Sequence, residues 1–191
     1  DAGYAVKSPN ISKTLLAELE QKYGKTPLPE EIFHYIYAVL YSNTYRTKYA
    51  EFLKTDFPRV PFTRDYKLFG KMGDLGKELA ELHLMESDAL EKPVSRFQGK
   101  GDSKIKKFTY SEKDKQVNIN DTQFFEAVEK EVWEYQLGGY RVMEKWLKDR
   151  KGKTLSMEDI RHYCRIATAI SETIAMQKAI DKIYPDIEDS L

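Results

Sequence analysis

The chain has a single cysteine, Cys164, in 191 residues. One thiol excludes a disulfide framework and fits a reducing, cytoplasmic compartment. Histidine is scarce as well: His34, His83 and His162 are scattered over predicted helices. His162 and Cys164 lie two apart on one of them, which points them to different faces and argues against a metal pair. No apolar run approaches the length that crosses a bilayer, and the opening residues do not read as a signal peptide, so no membrane is expected. Net charge is also absent, because 31 Lys and Arg balance 31 Asp and Glu. That balance counts against an autonomous nucleic-acid binder, which is usually basic. Aromatics are plentiful, with 13 Tyr and 9 Phe. They argue against disorder and supply a sizeable core.

The charge is unevenly spread. Arg96, Lys100, Lys104, Lys106, Lys107, Lys113 and Lys115 outweigh Asp102, Glu112 and Asp114, whereas acidic residues dominate from Ser156 onward. A basic middle and an acidic tail suggest one face for phosphate and another for solvent or protein.

Length suggests one domain over 1–191, and periodicity reads helices to about residue 90, strands in 91–137 and helices in 138–191. A helix over 11–23 stops at Gly24. A helical hairpin follows over 30–54, with Ser42 and Asn43 between its arms, and Pro58 and Pro61 then force 57–62 to be extended. Asp65 to Met85 reads as a helix with Tyr66, Phe69, Met72, Leu75, Leu79 and Leu82 in one stripe. Gly70, Gly73 and Gly76 inside it suggest close packing on a neighbour that the sequence does not name. From Pro93 the pattern turns to period two. Strands are expected over 94–98, 105–110 and 116–120, with Gly99–Asp102 as a hairpin turn. Residues 131–137 are a candidate fourth strand, broken by Gly138-Gly139, and a helix starts at Tyr140. Ser156 and Asp159 form a capping box for a long helix to about Ile183.

Catalytic chemistry finds little support. Phe97-Gln98-Gly99-Lys100-Gly101 matches F-x-G-x-G in form, but a basic strand pattern follows it instead of a helix. There is no N-P-P-Y, no D-P-P-Y and no P-loop, and the carboxylates sit in solvated helix mixtures. The expectation is a non-catalytic chain with no cofactor or metal of its own. Recognition chemistry is better supplied. Arg and Lys pair with guanine O6/N7, and Asn and Gln with adenine N6/N7. Arg96, Gln98, Lys100, Lys104, Lys106, Asn118 and Asn120 are therefore the candidates for base readout. The plainer reading of the same residues is a polar solvent face of a sheet.

Three separated blocks carry a resemblance. The first runs Tyr35-Ile36-Tyr37-Ala38-Val39-Leu40, Ser42, Tyr45-Arg46, Tyr49, Leu53-Lys54 and Phe57-Pro58-Arg59-Val60-Pro61-Phe62. The second is Gly76-Lys77-Glu78-Leu79 with Leu82-His83-Leu84. The third is Val132-Trp133-Glu134-Tyr135, Gly138-Gly139-Tyr140, Trp146-Leu147-Lys148 and Arg150-Lys151-Gly152. In this order they resemble the C-terminal target-recognition (specificity) domain of type ISP-like single-chain restriction–modification enzymes. Asn43 and Glu129 depart from it, at positions where proline is common. The resemblance implies an α+β fold of N-terminal helices, a small antiparallel β-sheet in the middle and a C-terminal helical pair, in a fragment of a larger chain that binds double-stranded DNA jointly with an adenine-N6 methyltransferase domain using S-adenosylmethionine. It also implies phosphate contacts, for which Arg46, Lys48, Lys54, Arg59, Arg64, Arg141 and Lys145 are the candidates. The alternative is a helical protein–protein interaction or spacer module without direct DNA contact, which the zero net charge favours.

Overall fold

Gly24, at φ 70°, ends the first helix, α1 (Lys13–Tyr23), in a computed structural model that describes residues 9–191. Pro29 opens α2 (Pro29–Tyr41), where its missing N–H and fixed φ carry no penalty. Glu31 accepts from the Leu28 amide at 2.7 Å and holds the start of that helix. Ser42 closes α2 and caps α3 (Asn43–Lys48): its hydroxyl accepts from the Tyr45 amide at 3.1 Å and donates to Asp181 at 2.8 Å.

The expected second arm, running to Lys54, is broken. α3 ends at Lys48, and Phe52–Lys54 form a separate 3-10 turn. Thr44 and Thr47 give this segment low helix propensity. Tertiary bonds then decide the path, as the Tyr45 hydroxyl donates to the Arg59 carbonyl at 3.1 Å and that of Tyr49 to Glu188 at 3.2 Å.

The described chain divides into two compact units, one of residues up to Ala80 with Met176–Leu191, the other Glu81–Ala175. In the first, α2 and α4 (Tyr66–His83) build a core from Ile32, Tyr35, Ala38, Val39, Phe69, Met72 and Leu79, joined by Leu19, Tyr45, Ile180, Tyr184 and Ile187. Gly76 identifies the neighbour that the glycine spacing left unnamed. A Cβ there would overlap the backbone carbonyl of His34, so α4 crosses α2 with backbone against backbone.

The second unit holds a four-stranded antiparallel sheet of β1 (Arg96–Gln98), β2 (Thr109–Ser111), β3 (Gln116–Asn118) and β4 (Phe124–Glu126), in the order β1-β4-β3-β2. The expected Gly99–Asp102 hairpin does not form. β1 pairs with β4 and β2 with β3, so residues 99–108 cross from one sheet edge to the other. Nor is 131–137 a fourth strand. Val132 and Trp133 are both buried, which a strand's alternation forbids, and they belong to the helical turn α5 (Lys130–Trp133). β5 (Gln136–Leu137) and β6 (Tyr140–Arg141) form a small hairpin over Gly138 and Gly139, both at positive φ, so the helix expected from Tyr140 begins at Val142 as α6 (Val142–Lys148).

α7 (Met157–Asp189) opens on the anticipated capping box. Asp159 accepts from the Ser156 amide at 3.0 Å, and Ser156 Oγ accepts from the Asp159 amide at 3.0 Å. The Ser156 amide and the Ser156 hydroxyl, which donates to the same carboxylate at 2.8 Å, hold the Asp159 carboxyl below its ordinary range. The helix outlasts the expected end at Ile183, passing Pro185 to reach Asp189. Ile160, Tyr163, Ala167 and Ile170 of its stripe join Ile105, Val117, Phe125, Trp133 and Trp146 in the second core.

The helix crossing gives a direct test. Gly76→Ala should destabilise the protein by about 1–3 kcal/mol, the range for overpacking. Gly70, on the same helix with open space around its Cα, should gain up to about 1 kcal/mol when changed to Ala. Chemical denaturation of the two variants checks the contrast in sign.

Candidate nucleic-acid interface

The sheet's two faces differ in chemistry. Phe97, Val117 and Phe125 turn inward, with Tyr110 beside them on the core. The opposite face carries Arg96 and Gln98 from β1, Phe124 and Glu126 from β4, Gln116 and Asn118 from β3, and Thr109 and Ser111 from β2. Register aligns four of these in one row: Gln98 opposite Phe124, Phe124 opposite Asn118, and Asn118 opposite Thr109. Gln98 and Asn118 end their strands while Thr109 and Phe124 begin theirs. The row therefore lies at the end of the sheet from which the 99–108 and 119–123 loops emerge.

The 99–108 loop is held along its length. Gln123 is only 3% exposed, and its Oε1 accepts from the Ser103 amide at 2.8 Å and from Asn120 Nδ2 at 3.1 Å. Thr122 Oγ1 donates to the Lys100 carbonyl at 2.9 Å. Ile105 is fully buried, and its backbone bonds Lys153 and Gly152 at 3.0 and 2.8 Å. Asn120 is committed to this framework: Nδ2 donates to the Lys104 carbonyl at 3.1 Å, and Oδ1 accepts from the Thr122 and Gln123 amides. Its amide edge is occupied within the fold.

The formal F-x-G-x-G match lies at the start of this loop and does not fit a cofactor. A Cβ on Gly99 would overlap the Thr122 carbonyl, and one on Gly101 would press on the Gln123 amide. The space these glycines leave is filled by the chain's own atoms.

Charge pairing separates the candidates sharply. In the first unit Lys48 pairs with Glu188 at 2.7 Å, Lys54 with Glu51 at 2.7 Å, and Arg59 with Asp56 at 3.5 Å. The Glu188 bond raises the Lys48 pKa above the ordinary lysine value. In the second unit Lys145 pairs with Asp149 at 2.8 Å, and Arg141 lies 3.9 Å from Glu134 and 4.0 Å from Glu144. Arg46 and Arg64 are exposed, with no ion pair among the described residues. The same holds for Arg96, Lys100, Lys104 and Lys106, and for Lys107, which was not among the site candidates. Gln98 donates to Glu126 at 2.8 Å, and Asn118 Oδ1 accepts from Gln116 at 3.1 Å. Gln123 and Phe124 are further residues that sequence reasoning missed. The first gives no local signal of its loop-holding bonds, and the Phe124-Phe125 doublet conceals strand alternation.

Burial pushes the Cys164 thiol up to about 11, so it is protonated at neutral pH. Burial also lowers His83, whose Nε2 lies 3.0 Å from Thr173 Oγ1. Among the described residues, no cluster of three His, Cys, Asp or Glu could hold a metal ion, and no helix is long and apolar enough to cross a membrane.

Solved structures share this architecture. The cryo-EM structure of a DrdV–DNA complex matches with TM-score 0.71 and 23% identity, over 88% of this chain and 20% of that one. A nuclease-deletion mutant of the Type ISP restriction–modification enzyme LlaGI, in complex with a DNA substrate mimic, matches with TM-score 0.60 and 20% identity, over 81% and 14%. The ATP-dependent Type ISP enzyme LlaBIII bound to DNA matches with TM-score 0.63 and 20% identity, over 91% and 12%. The chain thus spans a fifth or less of the length of these proteins. A comparison with curated proteins finds no match. The model of the Type ISP C-terminal specificity domain matches residues 2–178, nearly the whole chain, and the chain belongs to that family.

Proposed function

We propose that this chain is the target-recognition domain of a restriction–modification enzyme and reads double-stranded DNA with the loop end of its sheet. The observation that carries the reading is the row Gln98–Phe124–Asn118–Thr109 beside a pinned loop whose Lys100, Lys104, Lys106 and Lys107 lack ion pairs among the described residues. An unpaired ammonium meets phosphate without first leaving a carboxylate, and a fixed loop loses little entropy on doing so. The side chains of the row have the donors and acceptors that base edges require. Family membership and structural relatives described as DNA complexes support the same reading.

In this proposal the loop lysines supply the sequence-independent attraction, and Arg96, Gln98 and Asn118 supply readout. That reverses part of the sequence-based division, in which Lys100, Lys104 and Lys106 were readers. Asn120 supports the loop. Arg46 and Arg64 remain phosphate candidates, while the paired Lys48, Lys54, Arg59, Arg141 and Lys145 contribute little. Adenine methylation with S-adenosylmethionine, and any cleavage, belong to other parts of a longer cytoplasmic protein.

Salt titrations of the full-length protein on target and scrambled duplexes test the division. Lys104→Ala and Lys106→Ala should weaken binding to both duplexes, and each should reduce the slope of log K against log salt by about 0.9. Lys54→Ala and Lys145→Ala should leave the slope unchanged. Arg96→Ala and Asn118→Ala should cost about 1–3 kcal/mol on the target alone. Equal losses on both duplexes for Arg96 and Asn118 would remove them as base readers, and no effect from any of these four substitutions on either duplex would favour the interaction-module reading. Gln123→Leu removes no cation, yet it should weaken binding and speed amide exchange across 100–106.

A further inference from the structure

Phe124 is a large aromatic on the face of the sheet away from the core. Its neighbour Phe125 is fully buried, with ring centroids 4.8 Å from Phe97 and 4.3 Å from Tyr163. Strand alternation turns Phe124 the opposite way. There it is half-buried and belongs to neither apolar core. Register places Gln98 on one side of it and Asn118 on the other, each about 4.8 Å away in strand spacing. The result is an apolar ring between two amides, at the sheet end adjoining the loop lysines.

Base-edge chemistry gives that arrangement a meaning. Amide side chains match the N6/N7 edge of adenine. The base opposite adenine is thymine, and its 5-methyl is the only apolar group that a base pair shows in the major groove. We infer that Phe124 is a specificity-determining residue that contacts a thymine 5-methyl group, with Gln98 and Asn118 beside it for adenine edges. The inference rests on the DNA reading proposed above. The part of the Phe124 ring that remains at the surface is apolar, and a methyl group covers it without competing for the amides' hydrogen bonds.

The test uses full-length protein and a target defined by selection from randomised duplexes. Each thymine of the target is replaced singly by deoxyuridine, which removes the methyl and keeps the hydrogen-bonding edge. Wild type should lose about fourfold in affinity at one thymine, the factor for one buried methyl-sized group. Phe124→Ala should bind the thymine and uracil duplexes equally, and Phe124→Leu should keep part of the difference. Thermal melts of both variants establish that they fold, and the wild-type uracil scan stands independently of either. No uracil effect at any thymine, or the same effect in wild type and Phe124→Ala, would overturn the inference while leaving sequence-selective binding intact. A ring that stacked on a base face would give that second pattern, with general loss of affinity. Absence of any sequence preference in wild type would overturn the DNA reading, and this inference with it.

Discussion

A buried amide, Gln123, organises the part of this fold that has functional consequences. A side chain removed from water must find partners for its donors and its acceptor, or it destabilises the protein by about 1–3 kcal/mol. Gln123 finds them in Ser103 and Asn120. The bonds that satisfy it also fix the loop crossing the sheet end. Gly99, at φ 93°, approaches the Thr122 carbonyl too closely for any side chain, and a Cβ on Gly101 would displace the Gln123 amide, so this path requires glycine at 99 and a substitution at 101 disturbs the amide that holds it. A loop of this length with four lysines would otherwise sample many conformations. Held in one, it presents its charges at fixed positions beside the row of side chains proposed to read bases.

Zero net charge looks unsuited to a DNA-binding role, and the pairing pattern resolves the tension. Charges that cancel in a sum need not cancel in space. Three cations of the first unit are paired internally, Lys48 with Glu188, Lys54 with Glu51 and Arg59 with Asp56. The Lys48–Glu188 pair is joined by the hydroxyls of Tyr49 and Tyr184, which ties α3 to the C-terminal turns of α7. In the second unit Glu129 pairs with Lys115 of the β2–β3 turn, and Glu112 of that turn pairs with Lys130 of α5. The loop lysines at the other end of the strands have no such partners among the described residues. Local field, not net charge, is what a phosphate meets.

The helices were legible because their signals are local. Apolar periodicity found α1, α2, α4 and α7, and the Ser156–Asp159 box marked the start of the last to the residue. Strand existence was legible for β1, β2 and β3, but their partners were not. Three-residue strands carry too little pattern to fix pairing, and Gly99-Lys100-Gly101-Asp102 has the composition of a tight turn without making one. β4 was missed because two adjacent phenylalanines hide a period of two. Ion pairs at helical spacing, such as Lys145 with Asp149, follow from sequence. Lys48 with Glu188, 140 positions apart, does not. Asn120 shows the same limit: its composition suits a base reader, and only tertiary geometry shows its amide engaged with Lys104 and Gln123.

Lysine footprinting addresses the central claim most directly. Full-length protein, free and saturated with target duplex, would be acetylated under limiting reagent, and each site quantified by mass spectrometry. The account predicts that DNA protects Lys100, Lys104, Lys106 and Lys107 strongly while Lys54 and Lys145 react equally in both states. Protection of Lys54 and Lys145 with the loop lysines unchanged would contradict it, because the paired cations would then be the ones that meet the nucleic acid.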